Sequence, residues 1–104
     1  MNRVFITQEM PQLNYTAAEE YGSIEFLTRN DWSPIAASLN NEQLLRDIRS
    51  KLADYNPEHD HVVVSGSPVV AAVVFMVLAR ITRRVSVLKY SNRDQRYTKL
   101  TIEV

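Results

Sequence analysis

The sequence predicts an α/β domain built on a mostly parallel sheet, and two stretches carry that prediction. Residues 61–90 hold a β-branched run, a Ser-Gly-Ser-Pro turn, an apolar helical segment and a second β-rich run, the order of a strand–helix–strand unit. Residues 85–104 hold two β-rich runs around a short polar turn, the order of a hairpin. Length agrees, since 104 residues leave room for a single α/β domain, 1–104, with one core.

In the central unit, Val62, Val63 and Val64 are consecutive β-branched residues, stiff at χ1 and suited to a pleated strand. An apolar run without alternation belongs to a parallel strand buried on both faces, so residues 61–65 are read as the centre of the sheet. Ser67 can cap the following helix, and Pro68 fits its first position, where a missing N–H is harmless. Gly66 supplies the backbone freedom of the turn. Residues 69–79 contain no charged or strongly polar side chain, and a helix apolar all round is covered on every side. The run is about half the roughly 20 residues of a membrane span, and Arg80, Arg83 and Arg84 close it off near residue 81. No membrane segment is expected.

Upstream, residues 4–7 read as a short strand and residues 8–14, broken by Pro11, as a loop. Residues 16–21 fit a single helical turn with Thr16 as cap and Gly22 as stop. Residues 23–28 form the second strand, with Ile24 and Phe26 on one face and Glu25 opposed; the half-polar pattern suits a sheet edge. Residues 29–34 are a turn-rich connector in which Trp32 acts as a hydrophobic lid with its indole N–H at the rim. A second helix starts at Asn40 or Asn41, with Asn40 as cap and Gln43 at the reciprocal capping-box position. Leu44, Leu45, Ile48 and Leu52 line its inner face; Arg46, Asp47, Arg49, Ser50 and Lys51 point away, and Asn56-Pro57 ends it.

Downstream, residues 85–90 and 96–104 are the last two strands. Leu100, Ile102 and Val104 alternate with Lys99, Thr101 and Glu103, the pattern of an edge strand whose charges discourage further pairing. A right-handed crossover makes the strands before and after the apolar helix parallel. The sum is a small Rossmann-like domain in two or three layers: a five-stranded sheet, two main helices and an antiparallel C-terminal hairpin.

Composition is that of a soluble globular protein, 45% apolar and 23% charged, and the absence of cysteine excludes disulfides and thiolate chemistry. The N-terminal run turns polar too soon for a signal peptide, so a cytoplasmic location is the expectation. Net charge is zero but unevenly placed: residues 1–78 carry a net of −5 and residues 79–104 a net of +5. Such asymmetry fits complementary surfaces of one fold better than a nucleic-acid patch in a neutral chain.

Chemistry in such sheets gathers beyond the C-terminal ends of the parallel strands. The groups expected there are Thr7, Gln8, Ser65, Gly66, Ser67, Lys89, Tyr90 and Ser91, with Ser65, Gly66, Ser67, Lys89 and Tyr90 as the candidate ligand site. A helix N-terminus attracts anions, yet Ser-Gly-Ser-Pro is neither a P-loop nor a dinucleotide fingerprint, and Pro68 removes a donor. His59-Asp60-His61 lacks the companions of a metal centre and reads as a polar loop entering a strand. Ser65 and Ser67 lack a nucleophile-elbow frame. Arg93, Arg96 and Lys99, near Tyr90 and Tyr97, could suit single-stranded nucleic acid, although cross-strand packing explains the tyrosines equally well. No catalytic residue, metal or cofactor is assigned.

With Val4-Phe5-Ile6-Thr7-Gln8, Tyr21-Gly22, Gly66-Ser67-Pro68, Val87-Leu88-Lys89-Tyr90 and Arg96-Tyr97 in view, the chain resembles small accessory proteins encoded by tailed bacteriophages. The resemblance covers most of the chain, implies a viral, host-cytoplasmic setting and carries over no site residues.

The expectation is therefore a non-enzymatic, self-associating accessory protein that binds another macromolecule, such as a host protein. A homo-oligomer is expected with Val70, Val73, Val74 and Val77 at or near the contact, because something must cover the outer side of the apolar helix. The segment around residues 15–32 is the other candidate cover. Rival functions are a small-molecule or nucleotide-phosphate binder (or a nucleotide-handling enzyme) using the turn at residues 65–67, and nucleic-acid binding through the basic hairpin.

Overall fold

The computed structural model describes residues 2–35 and 38–104; Met1, Ala36 and Ala37 lie outside the described residues. Five strands form one sheet: β1 (Arg3–Ile6), β2 (Ser23–Phe26), β3 (Asp60–Val63), β4 (Arg84–Ser91) and β5 (Arg96–Glu103). Their order is β2-β1-β3-β4-β5, with β1 to β4 parallel and β5 antiparallel on β4. This is the mostly parallel sheet with a C-terminal hairpin that the sequence predicts, and β2 lies at an edge as its half-polar pattern requires. Val62 and Val63 sit in the middle strand β3, which is buried along its whole length, whereas Val64 lies beyond its end and is 49% exposed.

Two helices, α1 (Leu39–Leu52) and α2 (Pro68–Ala79), pack on one face of the sheet. Phe5, Val62 and Val85 meet Leu44, Ile48 and Leu52 of α1 and Val70, Val74 and Leu78 of α2 in one core. A 3-10 turn, Thr16–Glu20, covers the other face, where Tyr15 and Ala18 meet Val4, Ile6, Val63, Leu88 and Tyr97. The split follows from handedness. The chain leaves β1 toward β2 in one direction and leaves β2 and β3 in the other, so right-handed connections fall on opposite faces.

The start of α2 is built as its sequence dictates. Ser67 Oγ accepts from the N–H groups of Val69 and Val70, and Pro68 occupies the first turn. Gly66 adopts φ +75°, a left-handed conformation that side chains rarely take. The start of α1 differs from expectation. Ser38, not Asn40, is the cap, accepting from Asn41 N–H at 3.1 Å. Asn41 is turned back instead: its side chain receives Ser33 N–H at 2.7 Å and donates to the carbonyls of Ser33 and Ile35, which braces the connector. Gln43 bonds Asp47 rather than the cap. At the 3-10 turn Asn14 Oδ1, not Thr16, receives the first N–H. The expected caps already lie inside their elements, since α1 begins at Leu39 and the 3-10 turn at Thr16, so the capping oxygens come from upstream residues.

The expectation that α2 is covered on every side is corrected. Val70, Ala71, Val74, Val77 and Leu78 are buried, but Val69 is 50% exposed and Met76 73%. Tyr15 and Ala18 pack on the opposite face of the sheet and cannot reach this side. Of residues 15–32, Leu27 at the end of β2 is buried in the helical core and Trp32 packs against it as a lid, and neither covers the outward side of α2 that Val69 and Met76 leave open. Of the four residues expected at or near a contact between copies, Val70, Val74 and Val77 pack into the chain's own core and Val73 is partly open.

Candidate functional site

The sheet changes direction between β1 and β3, so the crevice beyond Ile6 and Val63 is where an open α/β sheet accepts a ligand. Here the chain fills that crevice itself. Thr7 Oγ1 donates to Ser65 O and accepts from Ser65 N–H, both at 2.9 Å. Ser65 Oγ shares a 2.6 Å hydrogen bond with Tyr15 OH, which also accepts from Met10 N–H. The buried Gln8 side chain lies across the turn, its Oε1 accepting from Ser67 N–H at 2.6 Å and its Nε2 donating to Asn30 O. A Cβ on Gly66 would collide with that Gln8 amide, so glycine is required there twice over, for conformation and for space.

This geometry disposes of the helix N-terminus as an anion seat. Ser67 N–H goes to Gln8, Pro68 has none, Val69 and Val70 are held by Ser67 Oγ, and Ala71 N–H by Ser67 O. No donor in the first turn of α2 is left to hold a phosphate.

Beside the crevice lies a cleft of about 760 Å³, walled by Leu13, Val64 and Leu100 and rimmed by Lys89 and Tyr90. Ser65, Gly66, Lys89 and Tyr90 of the candidate ligand site thus line one cleft, whereas Ser67 lies outside it. Tyr90 packs edge-on against Tyr97, ring centres 5.0 Å apart. In the hairpin Arg96 is paired with Glu20 at 3.2 Å and Tyr97 is buried, while Arg93 and Lys99 are exposed.

A second depression, about 520 Å³, opens between α1 and α2 on the outer surface. Trp32, Leu45, Val73, Met76 and Ile81 wall it, with Arg49 and Arg80 also at its lining. It continues onto the outward face of α2, where Val69, Ala72, Met76 and Ala79 follow one another at helical spacing, all exposed. The sequence names none of these as a surface, because a helix without polar residues carries no mark of which side is out.

At the other end of the sheet the residues singled out as His59-Asp60-His61 separate. His59 is exposed. Asp60, only 1% exposed, accepts from Arg3 N–H, Nε and Nη2 (2.7 Å) and from Asn56 N–H (2.8 Å). Burial alone would push its carboxyl up, but the hydrogen bonds from Arg3 and Asn56 outweigh it and hold the group below its ordinary value. Arg3 also reaches Asp54 at 3.0 Å and lies over the Phe5 ring. His61 Nδ1 hydrogen-bonds Ser86 Oγ at 2.6 Å, its ring edge-on to Tyr21; burial, helped by Lys99, lowers its pKa. Among the described residues no group of three or more His, Cys, Asp or Glu side chains could hold a metal ion, and no helix is long and apolar enough to cross a membrane.

Neither a curated protein nor a solved structure matches the chain. A family model described as Phage Pam3 gp32-like protein matches residues 2–104, nearly the whole sequence. The chain belongs to the phage Pam3 gp32-like family.

Proposed function

We propose that this phage-family protein is a non-enzymatic accessory protein that self-associates and acts by binding another protein, received in the groove between α1 and α2. One observation carries the reading: the outward face of α2 is apolar and bare beside the Trp32–Met76 groove. A soluble chain keeps such a patch at the expense of solubility, and patches of this kind mark interaction sites. Arg49 and Arg80 at the lining favour an occupant that is apolar on one side and acidic on the other, the pattern of an amphipathic helix. A host protein is the natural candidate for a phage product of this size.

The test is an amide chemical-shift titration with a Leu/Glu-rich amphipathic helical peptide and a Leu/Lys-rich control. The acidic peptide is expected to shift Leu45, Val73, Met76 and Arg80, and Met76→Glu to weaken it at least about tenfold while leaving the fold intact. Equal response to both peptides, or none, counts against the groove.

The second reading, a small-molecule site, rests on the 760 Å³ cleft, whose apolar walls and single rim ammonium at Lys89 suit an apolar anion better than a nucleotide. Shifts confined to Lys89, Tyr90 and Leu100 on adding a fatty acid would support it. Arg96 is engaged by Glu20, so hairpin binding to nucleic acid finds no comparable support.

A further inference from the structure

We propose that a second copy of this chain adds to the free edge of β5, antiparallel and about a two-fold axis at Thr101, so that Lys99 of each copy faces Glu103 of the other. The proposal deepens the self-association in the reading above and moves it from α2, whose named valines are buried except for the part-open Val73, to the sheet.

The two edges of the sheet are unequal. β2 is four residues long, and the carbonyls of Phe26 and Leu27 at its end are taken by the Lys51 ammonium at 2.8 and 3.4 Å. β5 is eight residues long and has β4 as its one neighbour. The register of β4 and β5 pairs Arg84 with Glu103, and one step further Val104 N–H donates to Arg83 O at 2.9 Å. In an antiparallel ladder this fixes the alternation: even-numbered residues of β5 turn their peptide groups to β4, and Tyr97, Lys99, Thr101 and Glu103 turn theirs outward, the Tyr97 carbonyl being taken by Tyr21 OH at 3.0 Å. The outward donors and acceptors of Lys99, Thr101 and Glu103, spaced two residues apart, are a template for another strand.

The side chains select which strand. Two copies can pair only with outward residue opposite outward residue, which leaves a short set of registers. Centring the axis on Lys99 or on Glu103 sets like charges face to face. Centring it on Leu100 leaves Lys99 facing Thr101, and centring it on Ile102 leaves Glu103 facing Thr101. Centring it on Thr101 sets Lys99 opposite Glu103 of the second copy, and by symmetry does so twice. The same register brings Leu100 opposite Ile102 of the second copy on the face that carries α2. These two side chains are 46% and 50% exposed in a single chain, beside the part-buried Val87. Pairing gathers four of them into an apolar strip that continues the core outward. The charges that discourage chance pairing therefore specify pairing with an identical edge.

Sedimentation equilibrium at micromolar concentration tests this. The wild-type chain is expected to be a dimer. Thr101→Pro removes an outward N–H without touching the β4 ladder and is expected to give a folded monomer. Lys99→Glu and Glu103→Lys are each expected to weaken the dimer at least about tenfold, since like charges then meet at two symmetric places. The double variant Lys99→Glu/Glu103→Lys restores opposite charges and is expected to recover it. A monomeric wild type, a dimer indifferent to Lys99→Glu, or a charge swap that fails to rescue overturns the proposal. A dimer abolished by Met76→Glu but not by Thr101→Pro places the contact on α2 and overturns it as well. Peptide titration of the monomeric Thr101→Pro variant keeps the groove reading separately testable.

Discussion

The two ends of the β1–β3 pair are fastened by different chemistry. At the N-terminal end a charged lock joins Arg3 to Asp60 and Asp54, with Asn56 N–H completing the carboxylate. At the C-terminal end the lock is neutral: Thr7, Gln8, Tyr15 and the Ser65–Ser67 turn satisfy one another. The charged lock depends on protonation and is unforgiving of one-sided loss, because a stranded buried charge is expensive. The neutral lock is insensitive to pH and occupies the very donors a ligand would need. In this chain the end at which α/β sheets ordinarily bind is a structural joint, and apolar side chains are left open instead on the outer helix face, at Val69 and Met76, and along the β5 edge, at Leu100 and Ile102.

The largest expected effect breaks the charged side of that contrast. Asp60→Asn leaves Arg3 partly unpaired at the floor of the sheet and should destabilise by about 3 kcal/mol, read as a lowered urea midpoint at unchanged slope. Because the folded pKa of Asp60 lies below its unfolded value, its contribution is fully present above about pH 4 and is lost as pH falls through the folded value. The wild-type acid limb in that window should therefore flatten in Asp60→Asn. His61, also lowered, withdraws stability earlier, as pH falls from about 6.5 toward its folded value.

A smaller effect probes the neutral side. Gln8→Ala strands Ser67 N–H and opens the turn, and should remove about 1–2 kcal/mol with no change between pH 4 and pH 8. Ser67→Ala loses a helix cap and should remove about 1 kcal/mol by the same measurement. A Gln8→Ala loss that varied with pH would blur the contrast. The smallest effect is the sharpest statement: phosphate at concentrations that stabilise true P-loop sites should leave the melting temperature unmoved, since the first turn of α2 has no donor free. A rise of several degrees would show that Gln8 yields to an anion.

How far the sequence could be read varied with what marked each element. In α1 charged residues label the outside, and Leu44, Ile48 and Leu52 are buried where the periodicity puts them. In α2 nothing labels a side, so the helix itself was legible while its phase was not, and three valines assigned to a surface lie in the core. Ser67-Pro68 announced the start of α2 because capping is local chemistry. The cap of α1 is Ser38 rather than Asn40, a choice the sequence leaves open because several polar residues there compete for the role. Thr7 and Gln8 could be placed near the crevice from strand ends alone. That Gln8 closes it depends on a contact across 59 residues of sequence, which no local pattern encodes. Tyr15, Asp60 and Arg3 acquire their partners in the same way, through the sheet.

The reciprocal hydroxyl bridge between Thr7 and Ser65 has one more consequence. It stitches the exits of two adjacent strands at the boundary between the two hydrophobic cores, so neither exit can fray while the other stays ordered. Isotope exchange at the Ser65 and Ser67 amides should then be as slow as at the middle of β3, tracking whole-molecule opening rather than loop breathing. Slow exchange there would make a segment that looks like a connector part of the last unit to open.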